Sequence, residues 1–229
     1  YSAKKHNPDV PKNELLKRKI FAEFVLIMAN VGFRSSELLG MKIGEISEGE
    51  GWDDDKRKSH IVMKVRKENS KTGKGRLCVA PVRDRVEKVK KYYKQLGVKQ
   101  DKGDFLFINP TSKQRNSYGR MVFYNRLKKV FLDSGLQDEF DAENKSVSLY
   151  SFRHQYACWR LRFGDVPIHL LAKQMGTSVG KIESTYGHIM VLEQADQITK
   201  NQEEQRLKRN GVRLDIPEVL DDDYVASAS

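Results

Sequence analysis

The chain has 229 residues, room for one full hydrophobic core with or without a small appendage, and its 42 Lys and Arg against 31 Asp and Glu give a formal net charge of +11. That surplus favours a polyanionic partner, because clustered cations gain affinity by displacing the counterions condensed on nucleic acid, although a ribosome or an anionic membrane surface would also accept it. Two cysteines, Cys78 and Cys158, are too few for a disulfide framework and lack metal-ligand spacing, and the apolar run Ile20 to Met28 is too short to span a membrane and contains Glu23.

Residues 1–12 are polar and carry Pro8 and Pro11, which suits a linker or arm, and the missing initiator Met suggests a domain excised from a longer chain. A first core helix is expected from Asn13, its plausible cap, because Leu16, Ile20, Phe24, Ile27 and Met28 recur at helical spacing until Gly32. A second short helix opens at Ser35 or Ser36 and carries Glu37, Leu38, Leu39 and Met41. The stretch SEGEGWDDDKRK reads as a charged loop. After it, Ile61 to Val65 and Leu77 to Val82 are β-prone and flank the basic turn RKENSKTGKGR, a hairpin with a cationic tip.

Helical patterns resume at Arg83 to Leu96, Arg120 to Leu132, Ser151 to Phe163, Ile168 to Met175 and Val179 to Tyr186, punctuated by Gly164 and Gly176. The fold class is therefore mainly α with a small antiparallel β-sheet. Residues 13–190 are expected to form the main domain. Residues 191–229 read as a solvated polar helix followed by an acidic end, either disordered or docked on a neighbouring subunit.

Taken one at a time, the chemistry-bearing residues have plain structural readings. Arg34 after Gly32 suits a helix-end cation, and Lys71 a solvated turn lysine. Arg153 could pair with an acid along its helix, and Tyr186 could be a core aromatic with its hydroxyl at the edge. Read together they resemble a known pattern. VGFRSSELLGMK, holding Arg34, looks like the first conserved box of the tyrosine recombinases of the phage integrase family, and SKTGKGR places Lys71 where that family carries its hairpin lysine. LYSFRHQYA sets Arg153 in the second box, and MGTSVGKIESTYGHI sets Tyr186 ahead of Gly187 and His188, as in the nucleophile box. The resemblance runs from Pro11 to Met190, and its closest flavour is that of phage or genomic-island integrases.

The resemblance implies a tyrosine-recombinase catalytic-domain fold and a reaction in which the Tyr186 hydroxyl attacks a DNA phosphodiester, forming a phosphotyrosine link that keeps the bond energy for religation. Arg34 and Arg153 would grip the non-bridging oxygens, and Lys71 would protonate the leaving sugar oxygen. Lys74 and Arg76 would contact DNA phosphates. No nucleotide cofactor and no metal are implied. The implied partners are double-stranded attachment sites, three further copies of the chain in a homo-tetramer on paired sites, and an accessory DNA-bending protein, in a bacterial cytoplasm at the nucleoid.

Two positions depart from the pattern. Tyr150 stands three residues before Arg153, where the family often has His, and Thr177 stands nine before Tyr186, where it often has His or Trp. Both hydroxyls can still donate to a phosphate or to the nucleophile, yet neither is a general base near neutral pH. His154 and His188 lie nearby and would compensate, His154 having the plainer reading of a structural helix histidine.

Two other function classes fit part of the sequence. Ile168 to Ile182 has the small residues and central Gly of a helix-turn-helix, which suits a non-catalytic DNA-binding regulator but leaves the Arg34 box and the Lys71 hairpin without a purpose. A type IB topoisomerase would share the nucleophile and arginine chemistry while acting as a monomer without a defined site. Covalent attachment to DNA separates the regulator from both enzymes.

Overall fold

The computed structural model describes residues 10–164 and 166–193. The chain divides into two units, Tyr1–Ile189 and Met190–Ser229, and the first holds the core and the candidate site. The expected arm at residues 1–9 and the polar and acidic stretch beyond Glu193 lie outside the described residues.

Helix α1 (Lys12–Val31) is capped by Pro11 rather than Asn13. A proline has no amide to leave unpaired before the first turn, and here its carbonyl takes the amides of Glu14 and Leu15 at 2.9 and 3.1 Å. Ile20, Phe24, Ile27, Met28 and Val31 are fully buried along one face. Gly32 ends the helix at φ 72°, with its amide on the Met28 carbonyl. A side chain there would stand 2.3 Å from the ring of Tyr156, so glycine serves both the backbone and the close approach of a later helix.

Helix α2 (Ser35–Leu39) is capped by Arg34, not by Ser35 or Ser36, because the Glu37 carboxylate turns back to accept the Arg34 amide at 2.9 Å. The segment read as a charged loop contains a helix, α3 (Asp54–Ser59), started by Asp53 accepting the Lys56 amide at 2.7 Å. A two-residue strand, β1 (Ile46–Ser47), precedes it, and β2 (Ile61–Val65) and β3 (Arg76–Ala80) follow, giving an antiparallel sheet of order β1-β2-β3. The register pairs Ile61 with Ala80, Met63 with Cys78 and Val65 with Arg76. Arg76, Cys78 and Ala80 therefore share the inward face, while Leu77 and Val79 point outward at 66% and 44% exposure.

Helix α4 (Arg83–Gln95) packs on α1, and α5 (Arg120–Ser134) is followed by α6 (Leu136–Ala142), which the sequence did not announce. The last three helices are α7 (Ser151–Phe163), α8 (Ile168–Met175) and α9 (Val179–Glu193), the last running beyond its expected end at Tyr186. Among the described residues no helix is long and apolar enough to cross a membrane.

The buried side chains form two clusters. The larger gathers α1, α2, the sheet, α4 and α5 around an aromatic knot in which Phe24 meets Phe107 and Phe123 edge-on at 5.1 and 4.6 Å. The smaller consists of Tyr156, Ala157, Leu171, Ala172, Met175, Ile182 and Tyr186 from α7, α8 and α9. Gln174 joins α8 to the sheet. Its side-chain oxygen accepts the Val79 amide at 3.2 Å, its side-chain nitrogen donates to the Val79 carbonyl at 2.8 Å, and its own carbonyl accepts Arg76 Nε at 3.0 Å.

Candidate active site

The corner after α1, the β2–β3 hairpin, the start of α7 and the turn after α8 converge on one cleft of ≈ 960 Å³. Arg34, Lys71, Tyr150, Arg153 and Thr177 all line it, so five of the expected residues are brought together from distant parts of the chain. Arg120 and Lys181 line it as well, two cations that the sequence motifs did not single out. They stand at the starts of α5 and α9, and the fold brings them to the cleft.

Arg153 is buried at 3% exposure on the first turn of α7, and its Nη1 donates to the carbonyls of Gly32 at 2.6 Å and Met175 at 2.8 Å. Both carbonyls belong to helix ends, where unpaired oxygens and the negative end of the helix dipole suit a cation. Arg34 is tied the same way to the Gly176 carbonyl at 3.4 Å, and its Nη1 meets Glu37 Oε1 at 3.0 Å. Burial, and then the charge of Arg34, lower the proton affinity of Arg153. A buried guanidinium beside another cation is short of negative charge, which an arriving phosphate would supply.

Glu37 is the counter-ion that allows these cations to stand close together. It is fully buried, and Arg76 binds it in bidentate fashion at 3.1 and 2.8 Å. Burial alone would push its carboxyl up, but the hydrogen bond and charge of Arg76, and then Arg34, hold it below the ordinary carboxylate range. Sequence reading saw Glu37 only as part of a motif. Its spacing three residues after Arg34, at the third position of a helix, is the signal that gives it this role.

Arg76 was expected as a phosphate contact at the hairpin tip. It is instead the first residue of β3 and faces inward, with its side chain 10% exposed and bound to Glu37 and to the Gln174 carbonyl. Gly176, at φ 64°, leaves room for it, since a side chain there would come within 2.5 Å of the Arg76 guanidinium. Lys74 remains exposed in the turn, outside the residues that line the cleft.

Lys71 is exposed at the hairpin tip, but the base of the hairpin is fixed. Asn69 Nδ2 donates to the Glu37 carbonyl at 2.7 Å and Arg66 Nη2 to the Gly40 carbonyl at 2.9 Å, holding the turn against α2. An exposed lysine on an anchored stem thus lines the cleft.

Tyr186 is buried at 7% exposure in the smaller cluster and does not itself line the cleft. Its hydroxyl lies 2.6 Å from Nδ1 of His154, and the His154 ring packs edge-on against Tyr150 at 4.6 Å. Burial, helped by Tyr150 and Cys158 and opposed by Arg153, pushes the Tyr186 hydroxyl up to about 12, which favours the protonated phenol. Burial and the neighbouring Arg153 lower His154, favouring the neutral ring. The side chain of His188 lies outside the described residues. Among the described residues no group of three His, Cys, Asp or Glu is gathered to hold a metal ion.

A helical domain with a small antiparallel sheet, two arginines and a hairpin lysine on one cleft, and a tyrosine beside it define the tyrosine-recombinase catalytic-domain fold. The profile of the phage integrase family matches residues 13–193, and the chain belongs to that family. Among solved structures, XerH site-specific recombinase bound to palindromic difH substrate, a post-cleavage complex, is similar with a TM-score of 0.57 and 17% identity. That match covers 87% of this chain and 47% of the XerH chain. The XerH pre-cleavage complex with difH gives a TM-score of 0.55 at 18% identity, covering 76% of this chain and 43% of that one. This chain thus spans less than half the length of these XerH chains. No match was found among the curated proteins.

Proposed function

We propose that this chain is the DNA-breaking and rejoining part of a site-specific recombinase that integrates and excises a mobile element, with Tyr186 as nucleophile. The observation that carries this reading is the convergence of Arg34, Lys71 and Arg153 on one cleft, with the Tyr186 hydroxyl held one histidine away from it. In the proposed reaction the scissile phosphate enters among Arg34 and Arg153, which balance the charge of the pentacoordinate transition state. Tyr186 Oη bonds to phosphorus, the sugar oxygen departs with a proton from Lys71, and the phosphotyrosine link preserves the energy for the reverse step. That chemistry consumes no nucleotide. Tyr150 and Thr177 hydroxyls donate to the phosphate from the cleft wall. Arg120, Lys181 and exposed Lys74 hold the flanking backbone, which fixes register but carries no sequence information. Catalytic contacts commonly close only when substrate is bound, so the approach of phosphate to Oη is the step the DNA completes.

The partners are duplex attachment sites, with four copies of the chain assembling on two of them and a DNA-bending protein assisting. The test is covalent trapping on a pool of nicked duplexes randomised over the contacted region, followed by denaturation, nuclease digestion and mass spectrometry of the adducted peptide. The expected result is an adduct on Tyr186 that disappears in Tyr186→Phe. Specific binding without an adduct would instead make the chain a DNA-binding regulator, and relaxation of supercoils without site preference would make it a topoisomerase.

A further inference from the structure

The mechanism above leaves the Tyr186 proton without a destination, and the structure offers one. We propose that His154 accepts the Tyr186 hydroxyl proton through Nδ1 as Oη bonds to phosphorus, and returns it when the link is reversed. The inference rests on Tyr186 being the nucleophile.

Three observations carry it. The Oη to Nδ1 distance of 2.6 Å is that of a formed hydrogen bond, and burial favours the protonated phenol, which donates to Nδ1 when the ring carries its proton on Nε2. His154 follows Arg153 directly on α7, so the acceptor is bonded through the backbone to the group that would hold the phosphate. The ring is held from a second side by the edge-on Tyr150, which lines the cleft. Among the described residues, the titratable and charged groups facing His154 are Tyr150 and Arg153 on α7 and Tyr186 on α9. Helices α1 and α8, also packed on α7, meet Arg153 with the carbonyls of Gly32 and Met175.

The balance is complete. The proton on Oη goes to Nδ1 and the Oη–P bond forms, while the bond from phosphorus to the sugar oxygen breaks and that oxygen takes a proton from Lys71. Burial, and then the charge of Arg153, oppose a positive charge on His154 and favour the neutral ring. An incoming phosphate offsets that charge, so the histidine becomes a better base when substrate is in place.

Two measurements test this. The first needs no DNA. Nitrogen NMR of the full chain should show His154 at neutral pH as the neutral ring with the proton on Nε2, and the Nδ1 signal should move in Tyr186→Phe. A ring protonated at neutral pH, or carrying its proton on Nδ1, overturns the inference whatever the DNA assay gives. The second compares adduct formation by wild type, His154→Asn and His154→Gln on the best-trapped duplex, with the leaving oxygen either native or replaced by sulfur. Asn keeps an acceptor where Nδ1 stands but takes no proton. The expected loss is about 100-fold or more for both variants, with a rate that climbs with pH through the neutral range where wild type is flat. Sulfur, a leaving atom that needs no acid, should rescue Lys71→Ala and not His154→Asn. Wild-type rate and pH profile in His154→Asn would show that His154 only positions the tyrosine. Absence of any wild-type adduct would sink the nucleophile assignment itself, a failure the NMR result keeps separate.

Discussion

The two apolar clusters differ in size and in what they hold. The larger one, built on α1 and the aromatic knot of Phe24, Phe107 and Phe123, supports Arg34 and the hairpin of Lys71 at its rim. The smaller one, on α7, α8 and α9, buries Tyr186, the proposed nucleophile, within itself. Arg153 sits between them, bonded to the last carbonyls of a helix from each side. Arg34 and Lys71 thus stand on the larger body, while Arg153 bridges the two. Tyr186 belongs to the smaller one, whose fewer buried side chains make local opening less costly.

The largest expected effect separates the clusters by stability. Phe24→Ala should cost about 3–5 kcal/mol and lower the urea midpoint of the whole unit. Leu171→Ala should cost about 2–5 kcal/mol but raise amide hydrogen exchange chiefly in α8 and α9. Equal acceleration of exchange in α1 by both variants would merge the two clusters into one cooperative body.

Next is the counter-ion that lets the bodies meet. Glu37→Gln leaves Arg76 and Arg34 facing an uncharged partner and should cost about 3 kcal/mol in urea unfolding at neutral pH. Because the Glu37 carboxyl is held low in the fold, its contribution is complete above the ordinary glutamate range and is lost as pH falls through its depressed folded value. Wild type should therefore lose stability on acidification more steeply than Glu37→Gln, and the two unfolding curves should approach each other in acid.

Smaller effects follow at the seam and at the hairpin tip. Gly32→Ala forces a side chain into the left-handed region and toward Tyr156, and should lower stability by about 2 kcal/mol, read from the thermal midpoint. Lys74→Ala touches neither cluster, so the thermal midpoint should stay put. Its trace should appear in DNA binding, as a slope of log affinity against log salt reduced by about one.

The elements with a single apolar face were legible in the sequence. The expected bounds of α7 and α8 coincide with the observed Ser151–Phe163 and Ile168–Met175, because a glycine closes each and apolar residues recur within them. Helices α3 and α6 escaped because neither buries a residue, leaving no periodicity to read. In β3 the alternation RLCVA is apolar on both faces, and Leu77 and Val79 look better suited to the interior than Arg76 and Cys78. The phase was set instead by pairing with β2 and by the buried charge of Glu37, neither of which is local. That is why Arg76 reads as a tip cation in the sequence and is an interior one in the fold. At the site, the sequence supplied the residues that line the cleft, but not Arg120 and Lys181, nor the contact between His154 and Tyr186, which depends on how α7 and α9 pack.

The amide of Gln174 has a consequence for how the molecule keeps to itself. Strand β3 ends the sheet, and an outer strand with open backbone groups and exposed Leu77 and Val79 invites pairing with another chain. By closing both groups of the Val79 peptide, one side chain from α8 imitates the strand that is missing there. One route to association, by extension of the sheet, is thereby blocked.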